Sequence, residues 1–326
     1  MKHRYQYRAL LTSLLFLTAI TGCSEEKPSA TEDPATETVQ RTDSKTESMT
    51  EKTTETDKET EKPSTGKATE KVTGATADSE NYDWKIPSYY QSSIDFTLRK
   101  AALKTNLFQI ISPHTAIGYD GLYSAYLKTD LREDGTIWDM YSDVRYKPSD
   151  NGGSYKKEGD MYNREHTIPQ SVFNKQSTMR CDIFHVYPTD GKINGNRSNY
   201  PHAEVGTVTN TSCNPSSNGS RLGESKTPGV SGKVFEPTDE YKGDFARTYF
   251  YFVTCYQDKM SSFKDYACFS KNSYPSLSSW AIDLYKKWSK EDPVSEKEIK
   301  RNEAAYGIQK NRNPFIDFPG IENLIW

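Results

Sequence analysis

A carboxylate and an imidazole stand side by side at Glu165 and His166, in the run Arg164-Glu165-His166-Thr167-Ile168-Pro169. Downstream come Asp182-Ile183-Phe184-His185-Val186-Tyr187-Pro188 and then Asn194-Gly195-Asn196-Arg197-Ser198-Asn199-Tyr200-Pro201. An acid, an imidazole and a later amide in an arginine-bearing polar stretch suit the hydrolysis of a phosphodiester with one hard metal ion. The phosphate is anionic and repels nucleophiles, so charge must be neutralised as the pentacoordinate transition state forms. A water must also lose its proton near neutral pH, and histidine has the basicity for that. Glu165 offers a carboxylate oxygen and Asn194 a neutral amide oxygen to a divalent ion. So small a protein set leaves most coordination positions to water and phosphate, as Mg²⁺ prefers.

Each of these residues also has a plainer reading. A lone histidine is ordinarily structural, a Glu beside an arginine is ordinarily half of an ion pair, and Asn194-Gly195 is a turn signal. The three ordered blocks favour the reactive reading. Asp182 and His185 read as supporting groups that orient a neighbour. Cys181 and His185, with His166 and His202 nearby, raise a zinc site, but their spacing matches no established pattern. Arg301 and Arg312 suit either a phosphate contact or a salt-bridged face.

The elements that must hold these groups are partly legible. A strand from Met161 to Thr167 would present Glu165 and His166, and Pro169 would end its ladder. Adjacent strand residues face opposite ways, so both reach one site only at a distorted strand or from its end. Ser92-Ser93-Ile94-Asp95 looks like a helix start, with Ile94, Leu98, Ala102, Leu107 and Ile111 at helical spacing. A helix is expected over Gly121 to Lys128, and a strand over Ile137 to Val144. Asp244 to Gln257 reads as an aromatic helix buried on several sides. Leu277, Trp280, Ala281, Leu284 and Trp288 share one helical face. Ser295 with Glu298 makes a capping box for a helix toward Tyr306, and Asn313-Pro314 is expected to stop it. The mixture predicts a single α+β domain with helices in the majority.

The chain has 326 residues and a net charge of −3. Residues 1–23 carry Lys2, Arg4 and Arg8, then an apolar stretch too short for an ordinary span, then Ile20-Thr21-Gly22-Cys23. That pattern resembles a bacterial lipobox and implies cleavage before Cys23 and acylation of its sulfur, hence a membrane anchor. Residues 24–80 contain no aromatic side chain and are dominated by Thr, Glu, Lys, Ser and Ala. Such a segment cannot bury enough apolar surface to offset the entropy of ordering it, so it reads as a disordered tether. As a flexible coil it would span roughly 40 Å. The acidity belongs to the tether, leaving residues 81–326 near neutral. That excludes a strongly basic grip on a phosphate backbone, so any basic surface is local. Export permits disulfides among Cys181, Cys213, Cys255 and Cys268. Cys255 with Cys268 and Cys181 with Cys213 is the pairing by sequence proximity, and free thiols are the alternative.

The three central blocks, with Phe235-Glu236-Pro237, Ala246-Arg247 and Gln309-Lys310-Asn311-Arg312-Asn313-Pro314-Phe315-Ile316-Asp317, resemble the endonuclease I family. These are secreted or periplasmic bacterial nucleases of the His-Me, or ββα-metal, finger class. The likeness covers nearly all of Tyr89 to Trp326. It implies His166 as general base, Glu165 and Asn194 as ligands of one Mg²⁺ (Mn²⁺ or Ca²⁺ substituting in binding), and products with 5′ phosphates. It also implies that Asn194 lies on a helix, although Gly191 and Gly195 make that segment a poor helix former. The loop between Ile168 and Cys181 is short here, and no residue matches the phosphate-stabilising arginine of some relatives. Arg180 and Arg197 are the candidates to replace it. The expectation is therefore an exported, lipid-anchored nuclease of low sequence preference, acting on DNA and with RNA as a further substrate. Two rivals remain: a catalytically silent surface protein that binds DNA, and a hydrolase of small phosphoesters.

Overall fold

The structure, a computed structural model, describes residues 82–326. The leader with Cys23, the tether and Asn81 lie outside the described residues. Two helices come first, α1 (Lys100–Ile111) and α2 (Gly121–Thr129). Next are β1 (Tyr162–His166), the short α3 (Ser177–Arg180), β2 (Val186–Asp190) and α4 (Gly191–Arg197). A three-stranded antiparallel meander follows, formed by β3 (Val205–Val208), β4 (Arg221–Ser225) and β5 (Lys233–Glu236). The chain closes with α5 (Lys242–Cys255), α6 (Ser279–Glu291), α7 (Glu296–Gln309), α8 (Pro314–Asp317) and α9 (Glu322–Ile325). The expected α+β class with a helical majority holds.

The core gathers around α5, where every residue from Gly243 to Cys255 is buried. Phe245, Tyr249, Phe250, Tyr251 and Phe252 are poor helix formers by propensity. Burial on all sides, worth about 1.5–3 kcal/mol per large apolar side chain, overrides that preference. α5 packs against α1, α6 and α8, and it backs the 3-10 turn Ile183–His185 that leads into β2.

β1 and β2 pair antiparallel, with Glu165 opposite Tyr187 and His166 opposite Val186. α4 leaves β2 without a gap. Asp190 caps it by accepting from the Ile193 amide at 2.9 Å. The glycines that argued against this helix have a packing reason. A Cβ on Gly191 would lie 2.7 Å from Tyr155 Cδ1 and closer still to Met161 Sδ, and one on Gly195 would lie 2.9 Å from the Tyr155 hydroxyl. The tyrosine ring lies against the helix, and only hydrogen at those positions admits it.

Several expectations are corrected. α1 begins at Lys100, not near Ser92, because Asp95 accepts from both the amide and the hydroxyl of Thr97, at 2.9 and 2.6 Å, and closes a local turn. Ile137 to Val144 forms no strand. Ile137 makes only isolated bridges to Leu131 and Tyr146. Just beyond, Asp139 accepts from the Tyr141 amide and the Ser142 hydroxyl, a side-chain turn that competes with a ladder. The capping box at Ser295 and Glu298 is present as expected. α7, however, ends at Gln309 with Lys310 left-handed (φ 68°), and Asn313-Pro314 opens α8 instead of stopping α7. The four described cysteines are all free thiols. Neither sequence-adjacent pair forms, because Cys255 and Cys268 sit in the core against separate partners, the Ile111 carbonyl and the Tyr285 hydroxyl.

Candidate active site

Glu165 is 1% exposed, and its Oε1 accepts from Arg197 Nη1 at 2.6 Å and from the Tyr141 hydroxyl at 2.9 Å. Oε2 makes no hydrogen bond. Burial drives this carboxyl up to about 7, against the pull of Arg197 and Tyr141. Burial alone would lower the guanidinium of Arg197, but Glu165 and the surrounding tyrosines raise it, which supports an ionised pair. A divalent ion at Oε2 would hold the carboxylate ionised more firmly.

Asn194 lies one helical turn before Arg197 on α4, so the two share a helix face. Arg197 is anchored to Glu165, and α4 packs against β1. The Asn194 side chain makes no protein hydrogen bond. Two hard oxygens, Oε2 of Glu165 and the Asn194 amide, are therefore left free of protein partners on neighbouring elements. That donor set fits a hard divalent cation bound largely through water and phosphate. Among the described residues, no group of three His, Cys, Asp or Glu side chains gathers into a fuller cage.

His166 is the last residue of β1, so the strand is met from its end, one of the two ways that neighbours could share a site. Its Nε2 donates to the Arg180 carbonyl at 3.0 Å. That bond places the proton on Nε2 and leaves the lone pair on Nδ1, on the side where the Arg164 backbone approaches the ring. Burial first, and then His185, lower its pKa to about 3, so the ring is neutral at working pH. No hydrogen bond joins His166 to Glu165 or Asn194. A water and a phosphate would lie between base and ligands, as the chemistry requires. What links them is Arg197, which donates to the His166 and Thr167 carbonyls at 2.8 and 2.5 Å as well as to Glu165.

The two candidate arginines separate cleanly. Arg197 is 1% exposed and also donates to the Tyr200 carbonyl, so its guanidinium is committed within the protein. It braces the site from within, whereas the sequence alone had it as a candidate phosphate contact. Arg180 is half-buried. Its Nε donates to Gln170 Oε1 at 2.8 Å and its Cζ stacks 3.6 Å over the Tyr119 ring, which leaves both terminal nitrogens without a protein partner. Arg164 stacks on the same tyrosine at 3.6 Å.

Supporting residues fall into place. Asp182 accepts from the Phe184 amide, Gln309, Tyr251 and Tyr256. Burial would raise its pKa, but His114, His185 and these donors bring it below the usual value. His185 meets His166 edge-on at 5.8 Å, with Nε2 on the Met179 carbonyl. Arg301 ties Asp130 to the carbonyls of Ile183 and Val186. Arg312 is paired with Asp317 and Glu303. Neither is open to phosphate. Sequence reasoning missed Tyr119, Tyr141 and the part His202 plays, since these lie in loops outside the motif blocks and carry no pattern of their own.

A strand-strand-helix unit, β1, β2 and α4, thus carries the carboxylate, the imidazole and the amide. The family model for Endonuclease I matches residues 100–320. The extracellular ribonuclease of Bacillus amyloliquefaciens is 35% identical over 237 residues, covering 69% of this chain and 74% of that protein. The extracellular ribonuclease of Bacillus subtilis (strain 168) is 33% identical over 235 residues, with the same shares. The endonuclease-1 of Buchnera aphidicola subsp. Baizongia pistaciae (strain Bp) is 27% identical over 162 residues, 50% of this chain and 54% of that one. The chain belongs to the endonuclease I family and is a nuclease.

Proposed function

We propose that the protein is an exported, metal-dependent endonuclease of low sequence preference that cuts both RNA and DNA and leaves 5′ phosphates. The observation that supports this reading is the hydrogen bond from His166 Nε2 to the Arg180 carbonyl, which puts the proton on Nε2 and the lone pair on Nδ1, the nitrogen that serves as a base toward water. A base that acts on water makes no demand on a 2′-hydroxyl, so ribose and deoxyribose substrates are chemically equivalent to it. The two Bacillus relatives are named ribonucleases and the Buchnera relative an endonuclease. One site of this kind accommodates both names.

Glu165 through Oε2 and Asn194 through its amide oxygen would hold one Mg²⁺. Bound there, the ion would neutralise transition-state charge and stabilise the departing 3′ oxygen. His166 takes the proton of the attacking water at Nδ1 and is held in aim by the Arg180 carbonyl. The free Arg180 nitrogens are set to donate to a non-bridging phosphate oxygen, steadied by Tyr119 and Gln170. Such contacts go to the backbone, which carries no sequence information. Cys23 would anchor the protein to the cell envelope through its acyl chains.

The test uses purified protein with supercoiled plasmid and with structured RNA, in Mg²⁺ and in EDTA, beside His166→Ala. Cleavage of both substrates that needs metal and His166, with 5′-phosphate ends, is the expected result. RNA cut in EDTA to 2′,3′-cyclic ends would replace this mechanism with attack by the 2′-hydroxyl. Plasmid that shifts in mobility but stays intact would favour the silent DNA-binding protein. Cleavage of a chromogenic diester with intact polymer would favour the small-phosphoester hydrolase.

A further inference from the structure

Behind Glu165 a buried hydrogen-bonded chain runs through four side chains that no motif connects. Tyr141 donates its only proton to Glu165 Oε1 at 2.9 Å. Its 2.7 Å contact with His202 Nε2 must therefore be a donation from the imidazole N–H to the phenol oxygen. His202 is fully buried and held neutral by desolvation, so its Nδ1 is bare and accepts from the Tyr249 hydroxyl at 3.0 Å. The Thr167 carbonyl, at 3.4 Å, is the more distant acceptor for the Tyr249 proton, so the 3.1 Å contact between Tyr249 and Tyr266 runs from Tyr266 to Tyr249. Tyr266 in turn accepts from Arg197 Nη2 at 3.4 Å. The chain starts at the guanidinium and ends on the carboxylate, and the direct Arg197–Glu165 bond closes it into a ring. Along the chain from Arg197 to Glu165 every proton points toward the carboxylate, the arrangement in which successive hydrogen bonds polarise one another, and the direct Arg197–Glu165 bond delivers a second proton to the same oxygen.

Both bonds to Glu165 fall on one oxygen. We propose that Tyr141 and His202 are positioning residues that fix the Glu165 carboxylate with Oε1 turned into the ring, so that Oε2 alone is presented to the metal. This rests on the reading of Glu165 as a metal ligand. The ring fixes the rotation of the carboxylate, which Arg197 alone, gripping a single oxygen through a single nitrogen, leaves free to turn. The ring is also rigid at its rear. The His202 imidazole lies flat on Phe245 with centroids 4.6 Å apart, and its carbonyl accepts from Tyr285. A change at His202 therefore reaches the ligand through Tyr141.

The experiment compares wild type with Tyr141→Phe and His202→Phe, both of which keep a ring in place. Calorimetric titration with Mn²⁺ alone reads ion binding without substrate. Rate against Mg²⁺ concentration, substrate half-saturation at saturating Mg²⁺, and thermal unfolding complete the set. Expected is a 10- to 100-fold loss of ion affinity in both variants, the range for a group behind a ligand. Substrate half-saturation at saturating metal should not change. In wild type, ¹⁵N resonances of His202 should show Nε2 protonated and Nδ1 bare. Should one variant fail to fold, the other decides, and the wild-type tautomer stands independently of both. Metal-dependent wild type with variants that hold Mn²⁺ equally well would overturn the positioning role alone, as would a reversed His202 tautomer. Wild type that binds no ion and cuts in EDTA would overturn the ligand reading and this proposal with it.

Discussion

Arg197 offers the sharpest test of how the site is held together. Arg197→Met keeps much of the side-chain volume and removes the charge. The side chains of Arg197 and Glu165 are 1% and 2% exposed and 2.6 Å apart, so the substitution leaves a buried carboxylate without its cation. Breaking such a pair from one side costs about 3–5 kcal/mol. The carbonyls of His166, Thr167 and Tyr200 lose a donor as well, which places the total at the upper end. For a domain of this size each kcal/mol shifts Tm by about 2–4 °C, so a fall of roughly 10–20 °C is expected by circular dichroism at pH 8. The pH dependence carries the sign. Glu165 without Arg197 has a folded pKa raised still further above its unfolded value. Its cost is absent below about pH 4 and grows as pH rises through the folded pKa. The Tm deficit should therefore shrink on acidification. Arg197→Met combined with Glu165→Met removes both charges and should recover much of the loss. A single variant within about 3 °C of wild type at pH 8, with a deficit that ignores pH, would refute the reasoning.

Other outcomes follow from the same geometry. Arg180→Ala should lower kcat/KM by about 10- to 100-fold, the loss of a charge-assisted phosphate contact, with Tm nearly unchanged because the side chain is half-exposed. Gly191→Ala should destabilise by about 1–3 kcal/mol in a urea titration, because the added methyl meets Tyr155 and Met161. Asp139 is buried and its carboxyl is pushed up to about 7 by desolvation, so its ionised form weakens the fold as pH rises from about 4 to 7. Asp139→Asn should therefore gain Tm relative to wild type at pH 8 compared with pH 4. Equal differences at both pH values would exclude that. Cys23→Ser should abolish incorporation of labelled palmitate and release the protein from the envelope fraction.

How much of this was legible depended on whether the signal was local. β1 was readable because Glu165 and His166 sit in a short run ended by a proline. α7 was readable because Ser295 and Glu298 announce a cap through one turn of backbone. α4 was named only by resemblance, since the reason for its glycines, the ring of Tyr155, lies well upstream. The meander from Val205 to Glu236 went unread. Its strands are four or five residues long, interrupted by Gly206 and Gly223, and show no clean alternation. The strand expected near Ile137 failed because Asp139 captures its own neighbours. At the site, the glutamate, the histidine and the asparagine were visible as types at a spacing. The distinction between Arg180 and Arg197 was not, because burial decides it. The ring through Tyr141, His202, Tyr249 and Tyr266 had no sequence signature, since each link joins residues distant along the chain.

The pairing of β1 with β2 has a consequence for what insertions the chain can survive. Glu165 and His166 occupy consecutive positions in a strand whose register is fixed by Tyr187 and Val186 opposite. One residue added within β1 would exchange their faces, setting the imidazole where the carboxylate belongs. The chain just beyond is the opposite case. Asn174 and Lys175 are exposed, left-handed turn residues, and added length there leaves both strands in register and the Arg180 carbonyl within reach of His166. The approach to the site can thus take added length while the strand beneath it stays closed to any change in length.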